Sequence, residues 1–333
     1  MSNHRLPVPI GFLTTPPHTT DVTDGDLRLA VATDAETLSR IREPLAERGI
    51  HAEFVPTSER TIPLDAEGSE AERKGEFDGF DVGFVFPTRM AEGGVADALL
   101  GVPWVNGREA VLRSRYKGEA LARLRRADIP TPETVVVSNP ASEADLGEVW
   151  ARFEPPVVVK PNSTTRGVGV AKVSDLDSFL GVVDYLDLVH DYRATGDRSF
   201  LVQEFLPDAR DYRVMCVEGE YVGAVERRLP DDVLEAGGWK HNVHRGAEAT
   251  GVRPPEAHRE VAAAAARALG VRWLGVDLLV SGERVVVNET NARPTVDAAT
   301  KYEDGFYDRL AGLIRRAAAG DDPLRDDPSA TRG

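Results

Sequence analysis

The sequence has 333 residues, a formal net charge of −15 and a hydrophobic fraction of 41%. This composition is typical of a folded protein, and the length allows two or three domains. The acidic balance excludes a broad nucleic-acid footprint, which needs a basic face, and no apolar run approaches the roughly 20 residues that span a bilayer. The single cysteine, Cys216, excludes a disulfide framework and a cysteine-rich zinc site. We therefore expect a cytoplasmic protein.

The first part of the chain predicts a polar arm followed by a parallel sheet. Residues 1–26 are rich in Thr, Pro and Asp, and we expect a flexible arm with one short strand at 8–13. Strands then alternate with helices. The strands are predicted at residues 27–32, 51–55, 80–86 and 103–105, and the helices at 34–48 and between 86 and 100. This alternation predicts an α/β domain over residues 27–106, with a parallel sheet covered on both faces.

The rest of the chain mixes helices, hairpins and loops. In residues 107–198, helices are predicted at 109–127, 141–153 and 175–188, and strands at 133–137, 155–161 and 168–173. In residues 199–320, the pattern predicts a strand at 200–205, hairpins at 212–227 and 273–289, and helices at 256–269 and near 307–319. Residues 229–252 show no regular period. Residues 321–333 form a charged tail that we expect to be disordered.

The strongest local signal is a lysine at the end of a β-branched strand. The segment Val157-Val-Val-Lys160-Pro precedes a loop of small residues that includes Ser163, Gly167 and Gly169. Small residues let backbone amides approach an anion closely, and a lysine adds positive charge for a phosphate. A surface hairpin with a solvated lysine explains this segment equally well by itself. The phosphate-binding pattern G-x-x-x-x-G-K-[ST] does not occur in the chain.

A second signal is a set of oxygen-bearing side chains on two predicted strands. Glu289 and Asn291 are two residues apart, so on a strand they point to one face, and Asp277 lies on the preceding strand. With a three-residue loop at 281–283, Asp277 would lie opposite Val287 and share that face, whereas a two-residue loop would destroy the arrangement. Such oxygen donors suit Mg²⁺. The alternative is a solvent-facing polar stripe, which the apolar neighbours disfavour.

Two further segments carry weaker signals. The end of the strand that contains Gln203 and Glu204 could offer backbone groups to an adenine edge, with a nearby carboxylate on ribose hydroxyls. The irregular stretch after Trp239 contains cationic and amide side chains that could close over phosphates. An ordinary strand with a polar end and an ordinary surface loop are the competing interpretations.

In this order, the segments resemble the ATP-grasp superfamily, and the nearest branch is the RimK-type (alpha-L-glutamate ligase-like) amino-acid ligases. The resemblance covers residues 105–317. It rests on eight motifs: Ser114-Arg-Tyr-Lys117-Gly, Val159-Lys160-Pro, Gln203-Glu204, Asp211-Tyr-Arg213, Val225-Glu-Arg-Arg228, Asn242-Val-His-Arg-Gly246, Gly275-Val-Asp277 and Asn288-Glu289-Thr-Asn291. The implied fold is a parallel-sheet domain followed by a two-subdomain α+β ATP-grasp module. Residues 107–198 would be its central lid subdomain and 199–320 its C-terminal subdomain.

The resemblance also implies roles for individual residues. Lys117 and Lys160 would bind the ATP phosphates, and residues 163–169, with Ser163, Gly167 and Gly169, would form the phosphate lid. The rest of the nucleotide site would consist of Gln203, Glu204, Phe205, Leu206, Asp211 and Arg213. The metal ligands would be Asp277, Glu289 and Asn291. The residues facing the γ-phosphate or the acyl acceptor would be Arg228, Asn242 and Arg245.

One position departs from the family pattern. After Asn291 the ligases often continue with small residues, Pro and Gly, whereas this chain has Ala292-Arg293-Pro294. Arg293 could clamp a substrate carboxylate through two hydrogen bonds, and we include it among the candidate catalytic residues.

The resemblance implies an ATP- and Mg²⁺- (or Mn²⁺-) dependent ligase that joins a carboxylate to an amine through an acylphosphate. The amine would be an amino acid such as glutamate, and the carboxylate would belong to a small molecule or peptide. The alternatives are an ATP-binding sensor or scaffold of the same fold, and a different ATP-grasp ligase such as a dipeptide ligase. No membrane or nucleic-acid partner is expected, and a homo-oligomer stays open.

Overall fold

The computed structural model of the protein describes residues 25–62, 64, 76–164, 167–190, 197–241 and 246–324. These residues form three sheets, each with helices packed against it. Within these ranges, no helix has the length and apolar character needed to cross a membrane. The strand predicted at residues 8–13, most of the N-terminal arm and most of the C-terminal tail lie outside the described residues.

The first sheet is parallel, as the alternation of strands and helices predicts. Its strands run in the order β2-β1-β3-β4, and helices α1 and α2 connect them. The bounds are β1 (Leu27–Val31), α1 (Ala35–Ala46), β2 (Ile50–Phe54), β3 (Val82–Val85), α2 (Met90–Leu100) and β4 (Trp104–Asn106). β3 is buried along its whole length, as expected for a sheet that is covered on both faces.

Two helices follow the parallel sheet, α3 (Arg108–Arg115) and α4 (Lys117–Arg126). They are separate because Tyr116 has an extended backbone with a ψ of 104°. Asn162 holds the start of α4: its carbonyl accepts the Lys117 amide at 3.1 Å, and its Oδ1 accepts the Gly118 amide at 2.8 Å. Lys117 is therefore fixed in place at the start of a helix.

The second sheet is antiparallel, with the order β5-β8-β6-β7. Helices α5 and α6 pack together beside it, and Phe179 and Phe200 are fully buried in the core of this region. The elements are β5 (Thr134–Ser138), α5 (Glu143–Trp150), β6 (Val157–Pro161), β7 (Ala171–Val173), α6 (Leu176–His190) and β8 (Ser199–Glu204).

Two details of this sheet differ from the sequence prediction. β7 begins at Ala171 and not at residue 168, because Gly167 and Gly169 adopt φ values of 68° and 74°, outside the extended region. β8, expected to begin the third segment, pairs with β5 and β6. The domain boundaries stay predictions, and this pairing favours a boundary after residue 204 over one at 198.

The third sheet is antiparallel, with the order β11-β10-β9-β12-β13. Its elements are β9 (Arg210–Val217), β10 (Glu220–Arg228), α7 (Asp231–Glu235), β11 (Glu248–Gly251), α8 (Glu256–Leu269), β12 (Trp273–Ser281), β13 (Arg284–Asn291) and α9 (Phe306–Ala318). Helices α3, α4 and α8 pack on this sheet or on one another, while α9 packs against the first sheet. α7 and β11 were not predicted, because both are short and lie where the sequence has no period.

The β12–β13 hairpin corrects the predicted register. Its loop has two residues, 282 and 283, because Ser281 pairs with Arg284, so the expected three-residue loop with Asp277 opposite Val287 is wrong. A β-bulge after Val287 then shifts the pairing by one residue. Asp277 consequently lies directly opposite Glu289, and the two residues share one face of the sheet despite the shorter loop.

Candidate active site

A cavity of about 620 Å³ lies between the second and third sheets. Sheet ends, the small-residue loop and the segment after α7 all contribute to its wall. The cavity has a polar end near β6 and β13 and an aromatic end near the end of β8. Predicted site residues that line it are Lys160, Gly167, Gln203, Glu204, Phe205, Leu206, Asp211, Asp277 and Glu289.

Two buried lysines converge on the polar end. The Lys160 Nζ donates to Gln203 Oε1 at 2.8 Å and to Asn288 Oδ1 at 3.1 Å. The Lys117 Nζ lies 3.6 Å from Glu289 Oε1 and donates to the Thr164 carbonyl. Burial lowers the pKa of Lys160 to about 8, with Glu289 opposing the shift and Lys117 adding to it. An anion at this end would relieve the cost of burying these charges.

The small-residue loop runs along the same end of the cavity. Thr164 Oγ1 donates to the Val168 carbonyl at 2.9 Å, and Gly167 faces the cavity. A Cβ on Gly169 would lie 2.8 Å from Pro161 Cγ, so the loop needs glycine there. Ser163 and Gly169 flank the cavity without lining it. The Lys240 Nζ donates to the Val170 carbonyl and so ties the loop to the segment after α7.

An arginine–carboxylate network forms the wall on the third sheet. Arg213 donates to both carboxylate oxygens of Asp277, at 2.7 and 2.8 Å. Asp277 lines the cavity, whereas Arg213 does not. Arg227 lies 2.5 Å from Asp211 and 3.0 Å from Asp277. Burial would raise the pKa of Asp277, but the two arginines outweigh it and hold that pKa well below its usual range. Burial raises the pKa of Asp211 to about 6, although Arg227 opposes the shift.

Arg227 lines the cavity, whereas the predicted site residue Arg228 does not. Successive residues of a strand point to opposite faces, so only one of this pair can face inward. Arg227 is 8% exposed, whereas Arg228 is exposed and lies 3.1 Å from Glu226 on the outer side. The arginine pair was visible in the sequence, but the pattern did not decide which member points inward.

The predicted metal ligands occupy neighbouring positions at the polar end. Asn291 lies two residues beyond Glu289 on β13, and its Oδ1 accepts the Arg293 amide at 2.9 Å. Among the described residues, no group of three or more His, Cys, Asp or Glu side chains could hold a metal. The set is therefore two carboxylates and an amide. Its oxygen donors fit Mg²⁺, which keeps waters and substrate phosphates as further ligands.

The aromatic end is built from residues at the end of β8 and after α7. The rings of Phe205 and Trp239 meet edge to face, with centroids 5.9 Å apart. The Lys172 Nζ lies 4.8 Å from the Phe205 centroid and 5.7 Å from that of Trp239. We did not assign Lys172 or Trp239 to the nucleotide site. The only sequence feature that points to Trp239 is that it is an aromatic residue in the irregular stretch 229–252.

The Glu204 carboxylate does not serve the aromatic end. Arg284 binds it at 2.7 and 2.9 Å, and it accepts the Glu133 amide at 2.8 Å. These partners belong to a separate polar cleft.

Two asparagines near the lysines, Asn162 and Asn288, are not among the predicted site residues. The bulge in β13 that places Asn288 beside Lys160 gives no sequence signal.

The structure describes one of the three remaining predicted catalytic residues. Asn242 and Arg245 lie outside the described residues. Arg293 is described, but it lies at the edge of the first sheet, where its Nη1 donates to the Phe86 carbonyl. Arg293 is therefore not among the residues that line the cavity.

Comparisons with known proteins agree with this architecture. A family model described as a RimK-like ATP-grasp domain matches residues 114–305. A protein of Stenotrophomonas maltophilia (strain K279a) named "Probable alpha-L-glutamate ligase" is 32% identical over 201 residues, which span 60% of this chain and 64% of that relative. This chain thus matches less than two thirds of the relative's length.

Solved structures share the fold at low sequence identity. D-cycloserine synthetase DcsG superposes with a TM-score of 0.65 at 19% identity, over 87% of this chain and 99% of its own. The D-alanine–D-alanine ligase of Bacillus anthracis, solved with ATP, gives a TM-score of 0.56 at 17% identity, over 88% of this chain and 97% of its own. At these identities the likeness shows the fold alone.

Proposed function

The chain belongs to the RimK-like ATP-grasp family, and from that premise we propose that it is an ATP-dependent ligase that joins a carboxylate to an amine. The observation that carries the proposal is one cavity lined at one end by the buried Lys160 and by two facing carboxylate residues, and at the other end by an aromatic pair. The buried Lys117 does not line this cavity, but its ammonium lies 3.6 Å from Glu289, which does. A nucleoside triphosphate has a planar base and a polyanionic tail, which suit the aromatic end and the polar end respectively.

The nucleotide would lie with its base at the aromatic end. Phe205, Trp239 and Leu206 offer apolar surface for a planar ring, and the Lys172 ammonium lies near both aromatic rings. Its phosphates would then reach Lys160 and Lys117, whose charges are buried. Gly167 would bring its backbone amide close to the same phosphates. Arg227 takes the inward position that we first expected for Arg228.

A divalent cation fits the donor set at the polar end. Glu289 and Asn291 would hold it, with Asp277 as the third ligand. When bound, Mg²⁺ (or Mn²⁺) neutralises charge on the phosphates during their transfer. Asp277 is already fixed by Arg213 and Arg227, so the network would hold its carboxylate in position for the ion.

The reaction that suits this site has two steps. A carboxylate oxygen of the acid substrate attacks the γ-phosphorus of ATP, so the bond to the bridging oxygen breaks and ADP leaves. The amine then attacks the carbonyl carbon of the acylphosphate, inorganic phosphate leaves, and the amine loses a proton to solvent. Lys160 and Lys117 stabilise the negative charge that develops on the transferred group. No side-chain nucleophile is required.

We propose an amino acid, with glutamate as the first candidate, for the amine substrate. The support is a relative named "Probable alpha-L-glutamate ligase", which is 32% identical to this chain over 201 residues. The acid substrate would be a small molecule or a peptide end.

The test is phosphate release from ATP with Mg²⁺, L-glutamate and a pool of carboxylic acids. Release that requires both an acid and an amine, with an amide product seen by mass spectrometry, supports the ligase. ATP binding without release under every combination supports a non-catalytic ATP-binding protein and contradicts the proposal.

A further inference from the structure

A second polar region lies at the carboxyl edge of the first sheet. β1 and β3 are neighbours, but their connections run to opposite sides, through α1 to β2 and through α2 to β4. Such a switch point leaves a crevice at the carboxyl ends of the strands, where ligands bind in open α/β sheets. The segment that follows β13 crosses this edge, since the Val296 amide donates to Thr37 Oγ1 at 3.1 Å.

Two arginines from different elements meet at this edge. The Arg293 Nη1 donates to the Phe86 carbonyl, and the Arg115 Nη1 donates to the Thr88 carbonyl at 3.0 Å. Ser114 explains why they come together, because its Oγ accepts the Ala292 amide at 2.9 Å. The residues that follow each partner of this hydrogen bond are Arg115 and Arg293.

Neither arginine has an acidic partner among the described residues. No carboxylate oxygen there lies within 4.0 Å of either guanidinium. By contrast, Arg213, Arg227 and Arg272 have carboxylate oxygens at 2.7, 2.5 and 2.6 Å. Acidic side chains are abundant in a chain with a net charge of −15, yet no described carboxylate pairs with either of these two neighbouring arginines.

The surroundings of Arg293 favour an anion there. The Arg293 side chain is partly buried, and the charges closest to it are those of Asp34 and Arg115. A partly buried guanidinium beside a second one is costly unless an anion compensates. The backbone carbonyls that accept from these guanidinium groups offset the cost of burying their charge only in part. A negatively charged ligand would offset the rest.

The arginine pair adjoins the polar end of the cavity. Arg293 is two residues beyond Asn291, and its amide donates to Asn291 Oδ1 at 2.9 Å. Arg115 is two residues before Lys117, whose ammonium lies 3.6 Å from Glu289. The backbone of both arginines is thus tied to the polar end, although neither side chain lines the cavity. A substrate held by both groups would extend from the polar end to the edge of the first sheet.

We propose that Arg115 and Arg293 bind a substrate carboxylate other than the one that is activated. For turnover this inference rests on the proposed ligase function, but the binding of a carboxylate does not. Guanidinium groups suit this ligand because they bind carboxylates through paired hydrogen bonds. The consequence is selection of a substrate with a second carboxylate, carried either by the amine, as in glutamate, or by the acid, as in a dicarboxylate.

The test is calorimetric titration with L-glutamate and, separately, with glutarate, on protein that is saturated with Mg·ADP. Arg293→Met and Arg115→Met should each weaken binding of the preferred probe by about tenfold or more. Arg293→Lys should restore part of the affinity. Arg113→Met is the matched control, because Arg113 lies on the same helix and also donates to a carbonyl, that of Leu269, at 3.4 Å. It should bind as the wild type does.

The two probes separate the sources of the carboxylate. Loss of L-glutamate binding in the variants assigns the pair to the amine substrate, and loss of glutarate binding assigns it to the acid. Circular dichroism and an unchanged ATP affinity establish that each variant is folded. If neither probe binds the wild type, or if both Met variants bind the probes like the control, the carboxylate subsite is wrong. If binding is lost as expected but phosphate release never requires an acid and an amine, the ligase proposal alone fails.

Discussion

The two charged walls of the cavity differ in how their charge is balanced. On the third sheet, Asp211 and Asp277 are compensated inside the protein by Arg213 and Arg227, at distances of 2.5–3.0 Å. On the opposite wall, Lys160 is buried with amide oxygens as its hydrogen-bond partners, and Lys117 lies 3.6 Å from a single carboxylate. The first wall is a stable frame, whereas the second is prepared for an anion that the protein does not itself provide.

Glu289 connects the two walls, so its loss should have the largest effect. We expect Glu289→Gln to lower phosphate release by on the order of a thousandfold, because the charge at the proposed cation position is removed. Glu283→Gln is the matched control, since Glu283 is exposed at the tip of the same hairpin. Near-normal release by Glu289→Gln would show that the metal position is misassigned.

The arginine–carboxylate network on the third sheet can be tested by substituting Asp277. Asp277→Asn leaves two guanidinium groups without their buried carboxylate, and we expect the free energy of unfolding to fall by about 3 kcal/mol. Lys160→Met should not lower the free energy of unfolding at pH 7, because it removes a buried charge that lacks a close carboxylate. Urea denaturation of both variants measures this contrast. Equal destabilisation by the two substitutions would contradict the distinction between the walls.

Phosphate binding on the opposite wall can be tested by substituting Lys160. We expect Lys160→Met to weaken ATP binding by about a hundredfold, since a charge-assisted contact to phosphate is lost in a buried site. Lys301→Met is a suitable control, because Lys301 pairs with Asp297 at 2.8 Å, away from the cavity. Calorimetry gives both affinities, and a similar dissociation constant for the two variants would argue against phosphate binding at Lys160.

The lowered pKa of Lys160 makes ATP binding dependent on pH. In the free protein this lysine loses its charge as the pH rises through about 8, and bound phosphates would raise that pKa. Binding above pH 8 must therefore take up a proton, so the dissociation constant for ATP should rise by up to about tenfold per pH unit there. Titrations between pH 7 and 9.5 test this. The dependence should vanish in Lys160→Met, and an unchanged wild-type affinity over this range would refute it.

The aromatic end should show the smallest effect. Trp239→Leu removes one ring of the pair that we assign to the base, and we expect ATP binding to weaken by roughly 1 kcal/mol, or about fivefold. Trp150→Leu is the comparison variant, because Trp150 packs on Phe179, with ring centroids 5.4 Å apart, in the core of the second sheet. An ATP affinity that responds more to Trp150 than to Trp239 would place the base elsewhere.

Most of the fold follows from sequence periodicity, because strands and helices with buried faces leave clear patterns. The helix ending at Gly270 and the hairpin around residues 218 and 219 have the predicted positions. The exceptions lack such patterns, since α7 and β11 are short. The partners of β8 were also out of reach, because pairing between distant strands depends on tertiary packing that local patterns do not record.

The candidate site was predictable in residue type more than in geometry. Lys160, Asp277 and Glu289 line one cavity, as expected from their motifs. Their arrangement depends on a shorter loop and a bulge, each of which shifts the register by one residue, so the total shift of two residues keeps the predicted face. Arg227 lines the cavity and Arg228 does not, which is also a difference of one residue. A one-residue shift reverses the face of every side chain, so strand register limits sequence reasoning here.

The most direct test of the central claim is photolabelling with 8-azido-ATP, followed by mapping of the labelled peptides by mass spectrometry. We expect ATP to compete with the label and the labelled peptides to contain residues 203–206 or 239–241. A label that ATP does not displace, or one confined to peptides away from this cavity, would show that ATP does not bind here.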